Sequence, residues 1–196
     1  MKTPTSADAL RVARALLGLS QRDAAKAAEI AQKALSAAES GKNSLLETNL
    51  QLISFYESRG IEFLGEARIG KEIARAGARF RGPTGPHTVT SEAAEFHSES
   101  YGISFLAARS LLNKEQAYIA ERSGLPLKTI RALEHGATRS EPTAQLRKFY
   151  EGAGVEFTGW GDVATGRYYQ VGVRWAAQMS QDGSGEVAAN GDVVDG

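Results

Sequence analysis

Chemistry has few places to start in this 196-residue chain. Cysteine is absent, so neither a disulfide framework nor a thiolate metal site can form. The three imidazoles, His87, His97 and His135, stand at no ligand spacing from one another. There is no Ser/His/Asp spacing, no phosphate-binding glycine loop and no carboxylate pair at a plausible turn. The expectation is a protein that binds rather than catalyses, without metal or cofactor. What recurs instead is a set of small and polar residues at one displacement. Ala13 and Ala108, Gln21 and Gln116, Ala25 and Ala120, Lys33 and Lys128, Glu39 and Glu134, and Gly41 and Gly136 each stand 95 residues apart. The Gln and Lys members offer hydrogen-bond donors, the chemistry of recognition.

A period this long is no solenoid unit, since those run about 20–50 residues; it is a small domain written twice. Ser6 (or Thr5) caps a first helix with Asp8 in its first turn. Leu10, Ala13 and Leu17, widened by Ala9 and Leu16, form its apolar face, and Gly18 ends it. Ser20 caps a second helix from Gln21, in which Ala24, Ala25 and Ala28 permit close helix approach. Ile30 plugs the turn. A third helix runs from about Ala31 to Glu39 with Leu35 and Ala38 inward, and Gly41 supplies its left-handed end. A fourth, from near Ser44 to about Ser58, turns Leu46, Leu50, Ile53 and Phe55 inward. Ile61-Glu62-Phe63-Leu64 then alternates like a strand, with Ala78-Arg79-Phe80 as partner. This ending recurs at a displacement of 94, with Phe55-Tyr56-Glu57 as Phe149-Tyr150-Glu151 and Ile61-Glu62-Phe63 as Val155-Glu156-Phe157. It returns to 95 at Gly77-Ala78-Arg79-Phe80 against Gly172-Val173-Arg174-Trp175. Tyr169, Val171, Val173 and Trp175 share one strand face, and with Phe63, Phe80 and Phe157 they read as packing.

The net charge of zero conceals a pattern. Residues 1–86 carry 13 Lys+Arg against 9 Asp+Glu, and residues 101–180 carry 10 against 7. The stretch 87–100 has Glu92, Glu95 and Glu99 and no base, and the end of the chain holds Asp182, Glu186, Asp192 and Asp195. Two mildly basic modules thus alternate with acidic segments, a slight tilt toward nucleic acid. No apolar run reaches 18 residues and no signal-peptide pattern opens the chain. A cytoplasmic protein without membrane partners is expected.

Leu19-Ser20-Gln21-x-x-x-Ala25-x-x-x-x-Ile30-x-x-x-x-Leu35-x-x-x-Glu39-x-Gly41-Lys42 resembles the helix-turn-helix of the lambda-repressor-like (Cro/repressor, xenobiotic-response-element) family. The likeness covers about 10–58 and again 105–153. Alanine at 24, 28 and 38 departs from the family's larger aliphatics. In the second copy Asn113-Lys114-Glu115 replaces Gly18-Leu19-Ser20, a poorer cap, while Gly124-Leu125 is closer to the family turn than Glu29-Ile30. Pro126 is expected at the first helical position.

The resemblance implies a mainly α fold of two tandem four-to-five-helix helix-turn-helix domains, each with a short C-terminal β-hairpin-like appendage. The bounds are 5–81 and 101–179, with a linker at 82–100 and a disordered tail at 180–196. A short helix over 88–99, capped by Thr90 or Ser91, is expected inside the linker. The resemblance also implies that the third helix of each copy enters the DNA major groove while the second crosses the backbone. The base-facing positions become Ala31, Gln32, Lys33, Ser36 and Ala37, and then Pro126, Leu127, Lys128, Arg131 and Ala132. Gln can pair with adenine, Lys and Arg with guanine, and Leu with a thymine methyl. Gln21 and Gln116 become phosphate anchors, with Lys42 and Arg139 on the flanking backbone. The implied function is a sequence-specific DNA-binding regulator of bacterial or phage type. Its partner is double-stranded DNA; self-association through the β appendages and a contact with the transcription machinery are compatible with it. The alternative is a protein-binding module on the same fold, an antitoxin or antiactivator.

Overall fold

A computed structural model describes residues 4–42, 45–67, 71–83, 85 and 95–177. The first half runs α1 (Ala7–Leu16), α2 (Gln21–Ala27), α3 (Gln32–Ser40), α4 (Leu46–Glu57), β1 (Ile61–Glu66) and β2 (Ala74–Phe80). The second half repeats that order: α5 (Phe105–Leu112), α6 (Gln116–Ser123), α7 (Leu127–Glu134), α8 (Ser140–Gly152), β3 (Val155–Asp162) and β4 (Arg167–Trp175). The Ser6 hydroxyl accepts from the Ala9 N–H, and the Ser20 hydroxyl from the Asp23 N–H, which fixes where α1 and α2 begin. Leu10, Ala13, Ala24, Ala25 and Leu35 are buried where α1, α2 and α3 meet.

Three local expectations change. Leu46 is 59% exposed rather than inward, because α4 begins at that residue and its buried face is carried by Leu52, Ile53, Phe55 and Tyr56. Pro126 is the N-cap of α7 and not its first helical residue: its ψ of 141° is extended, and Leu127 opens the helix. Of the helix expected over 88–99, residues 88–94 lie outside the described residues, and 95–99 are not helical. The disordered tail expected at 180–196 also lies outside the described residues.

The β appendages are not separate. They form one antiparallel sheet in the order β1-β2-β4-β3. At its centre Gly77 pairs with Arg174, Ala78 with Val173 and Arg79 with Gly172. Because Gly172, Val173 and Arg174 stand 95 residues after Gly77, Ala78 and Arg79, this register is self-complementary about the Ala78–Val173 pair. Close approach requires glycine here. A Cβ on Gly77 would stand 2.1 Å from the Val173 carbonyl oxygen, and one on Gly172 2.3 Å from that of Ala78. Gly77→Ala is therefore expected to push β2 off β4 and cost about 1–2 kcal/mol. An unchanged unfolding midpoint would show that the strands do not depend on this contact.

Below the sheet α1 packs against α5, and one core runs through both halves, from Leu10 and Leu52 to Leu111 and Tyr150. Polar ties cross the same boundary: Arg11 Nε donates to the Ser110 carbonyl at 3.0 Å, Trp175 Nε1 to Asp8 Oδ2 at 2.8 Å, and Arg75 pairs with Glu156 at 2.7 Å. Arg174 and then Arg75 hold the Glu156 carboxyl below the usual carboxylate range. The end of the expected linker is fixed as well. Glu99 exchanges both backbone hydrogen bonds with Tyr168, the His97 ring stacks on Phe80 at 3.7 Å, and Arg167 holds Ser98 and Ser100.

Equivalent backbone positions share a left-handed conformation that the residues fill differently. Gly18 (φ 64°) corresponds to Asn113 (φ 52°), and Glu29 (φ 55°) to Gly124 (φ 72°). Glutamate is strained there and glycine is not. Glu29→Gly is expected to stabilise the protein by about 0.5–1 kcal/mol, read as a higher urea midpoint at unchanged slope. A lower midpoint would mean that backbone entropy outweighs the relief of strain. Glu115 makes no side-chain cap bond to α6, in line with the poorer cap expected for the second copy.

Candidate nucleic-acid interface

In each half a buried carboxylate ties three helices together. Glu39 on α3 is 3% exposed. Arg14 on α1 donates to it twice, Nε to Oε1 at 2.6 Å and Nη2 to Oε2 at 3.0 Å, and Gln21 at the start of α2 donates Nε2 to Oε2 at 2.7 Å. The remaining Arg14 Nη1 donates to the Leu19 carbonyl in the turn. The second half reproduces this with Arg109, Glu134 and Gln116, at 2.5, 3.1 and 2.7 Å, and with Lys114 in place of Leu19. A fork bonded along two parallel lines fixes angle as well as distance. It therefore sets the angle of α3 against α1 and α2, and of α7 against α5 and α6. Burial opposes the Arg109 charge, but Glu134 holds the guanidinium above its ordinary range. Burial, with help from Glu39 and Glu134, pushes the Tyr56 and Tyr150 phenols well above theirs, so both stay neutral beside the two pairs.

Glu39 and Glu134 stand out in the sequence at the ends of the third helices, whereas Arg14 and Arg109 do not. The signal was available: both arginines stand 25 residues before their glutamates and 95 apart. Gln21 and Gln116, expected to face outward, each commit one amide donor inward to a buried carboxylate.

The outer face of α3 is open. Ala31, Gln32, Lys33, Ser36 and Lys42 are exposed and Ala37 is half-buried. Gln21, Gln32, Lys33, Ser36, Ala37 and Lys42 line one shallow depression, together with Ser40, which the sequence did not single out. On α7, Lys128 and Arg131 are exposed, with Pro126 before them and Arg139 after, while Leu127 and Ala132 are half-buried. Arg131 reaches back across the surface, its Nε 3.4 Å from Gln116 Oε1. The side-chain chain Arg109–Glu134–Gln116–Arg131 thus runs from the core to the face of α7. Ser36 occupies the position equivalent to Arg131 and makes no such tie. Each face can donate hydrogen bonds to base edges or phosphates, and the α7 face carries two cations with planar or mobile donors.

Among the described residues no group of His, Cys, Asp and Glu could hold a metal ion, and no helix is long and apolar enough to cross a membrane. Comparison with known families matches residues 10–54 to a helix-turn-helix model of the lambda-repressor-like kind. The match spans most of α1 through most of α4 and supports one helix-turn-helix domain of a DNA-binding regulator family, usually non-enzymatic. Comparison with curated proteins returns no match.

Proposed function

We propose that the chain is a sequence-specific DNA-binding transcriptional regulator of bacterial or phage type that presents two recognition helices, α3 and α7, from one molecule. The observation that carries this reading is the self-complementary pairing of β2 with β4. It is the contact a twofold dimer would make, here made within a single chain. Family dimers present two such helices to half-sites about 34 Å apart, one helical turn of DNA. The two helices here are chemically unlike, with Gln32, Lys33 and Ser36 against Leu127, Lys128 and Arg131. The target accordingly has two unequal half-sites rather than a palindrome. Gln21 and Gln116, with Lys42 and Arg139, hold the flanking phosphates.

A footprint combined with the mass of the complex in solution tests this. One chain covering two dissimilar half-sites is expected. A strictly palindromic footprint filled by two chains, each using one helix, would overturn it and leave the other half as a partner-binding module. Self-association through the sheet would have to use β1 or β3, the outer strands, because β2 and β4 are already paired. The protein-binding alternative draws on Ala31 and Ala37, which give the α3 face less donor chemistry than the α7 face; retention on a partner protein but not on DNA at low salt would favour it.

A further inference from the structure

The halves differ at the start of their first helices. Ala13 corresponds to Ala108, so the first turn of α1, residues 7–9, corresponds to 102–104, which are not helical. In the first half this region is closed. A Cβ on Gly41 would lie 3.7 Å from the Ala7 Cβ, the Asn49 carboxamide clamps the Thr5 backbone with two hydrogen bonds of 3.0 Å, and Ile53 is 4% exposed. The residues equivalent to Thr5, Asn49 and Ile53 are Ser100, Thr143 and Arg147. These do not close on one another. They line a cavity of about 610 Å³, within the size range of small-molecule sites.

The cavity has aromatic walls from Tyr101, Phe157, Trp160 and Tyr168. A fifth ring, Phe105, completes the lining; the first half has Ser6, Leu10, Phe63, Glu66 and Ile73 at the places equivalent to Tyr101, Phe105, Phe157, Trp160 and Tyr168, so four of the five rings belong to the second half alone. Two rings are seated on glycines. A Cβ on Gly136 would stand 2.5 Å from the Tyr101 ring, and one on Gly102 2.7 Å from the Tyr168 ring. Among the described residues that line it, Arg147 is the one cation and none is a carboxylate. Its Nε is bonded to Glu151 at 2.7 Å, but among the described residues neither of its Nη atoms is in a hydrogen bond.

We propose that this cavity binds a small flat aromatic carboxylate. The ring lies against the aromatic walls, where stacking adds to burial. The carboxylate takes the two Nη donors of Arg147, a planar fork that matches it, and the Thr143 hydroxyl offers a further donor. The site stands apart from the DNA reading and needs no DNA to be tested.

The full chain is titrated calorimetrically with benzoate, 1-naphthoate and indole-3-acetate, each beside its primary amide. Saturable binding of at least one acid is expected, about tenfold or more weaker for its amide and for Arg147→Gln. Arg147 is exposed, so that variant should fold with the parent's melting temperature; Arg122→Gln, on the exposed face of α6, serves as a control that leaves binding unchanged. The same acid should alter tryptophan fluorescence in the parent and not in Trp160→Phe, where Trp175 still reports. Absence of saturable binding for all three acids would overturn the proposal. So would equal affinity for acid and amide, or binding indifferent to Arg147→Gln.

Discussion

Glu39→Ala is expected to destabilise the protein by about 3–5 kcal/mol, the usual cost of removing one member of a buried ion pair. The carboxylate is almost wholly enclosed, whereas the Arg14 side chain keeps 19% of its surface in solvent, so the cost should fall toward the lower end. The variant strips three donors of their acceptor at once: Arg14 Nε, Arg14 Nη2 and Gln21 Nε2. It also leaves a cavity where α1, α2 and α3 meet. Urea unfolding followed by helical circular dichroism reads the effect. Glu134→Ala should cost a similar amount, because its partners and distances repeat those of Glu39 within 0.1 Å. A loss below about 1 kcal/mol in either variant would show that the freed arginine simply turns to water, as exposed pairs allow.

Lys128→Ala and Arg131→Ala are each expected to weaken binding to the specific DNA site by about 1–3 kcal/mol, the discrimination carried by a good base contact. Both side chains stand exposed on α7, and Arg131 Nε is bonded to Gln116, which leaves its two Nη atoms for other acceptors. Gln116→Ala should therefore weaken the same site both through Arg131 and through its own phosphate contact, so the double variant with Arg131→Ala should lose less than the sum of the two single losses. Equal losses on specific and random DNA would reassign the two cations to phosphates. No loss in either variant would remove α7 from the DNA. Salt titration separates the cases, since losing a phosphate contact lowers the salt slope by about one.

Much of the fold was legible in the chain because its signals are local. Ser6 and Ser20 announce their helices through hydroxyls that reach only three residues ahead. Gly41 and Gly124 mark left-handed helix ends, the second at a position that Glu29 holds under strain in the first half. The 95-residue displacement identified the equivalent residues of the two halves before any contact was known. Leu46 misled, because an apolar residue at a helix start satisfies the period without having anything to pack on. Pro126 misled by one position, since a fixed φ suits both the cap and the first helical residue, and only ψ separates them.

What the sequence determined by itself is therefore the order of the elements and where the helices and strands begin and end. These follow from periodicity, capping and turn chemistry, which act within a few residues. Tertiary structure alone decided three things. It merged two hairpins into one sheet about Ala78 and Val173, it turned the amides of Gln21 and Gln116 toward buried carboxylates, and it opened a cavity beside Arg147 where Asn49 and Thr5 close the equivalent place in the first half. Each depends on groups about 20 to 100 residues apart in the chain, whose approach is set by packing and by strand pairing rather than by any local pattern.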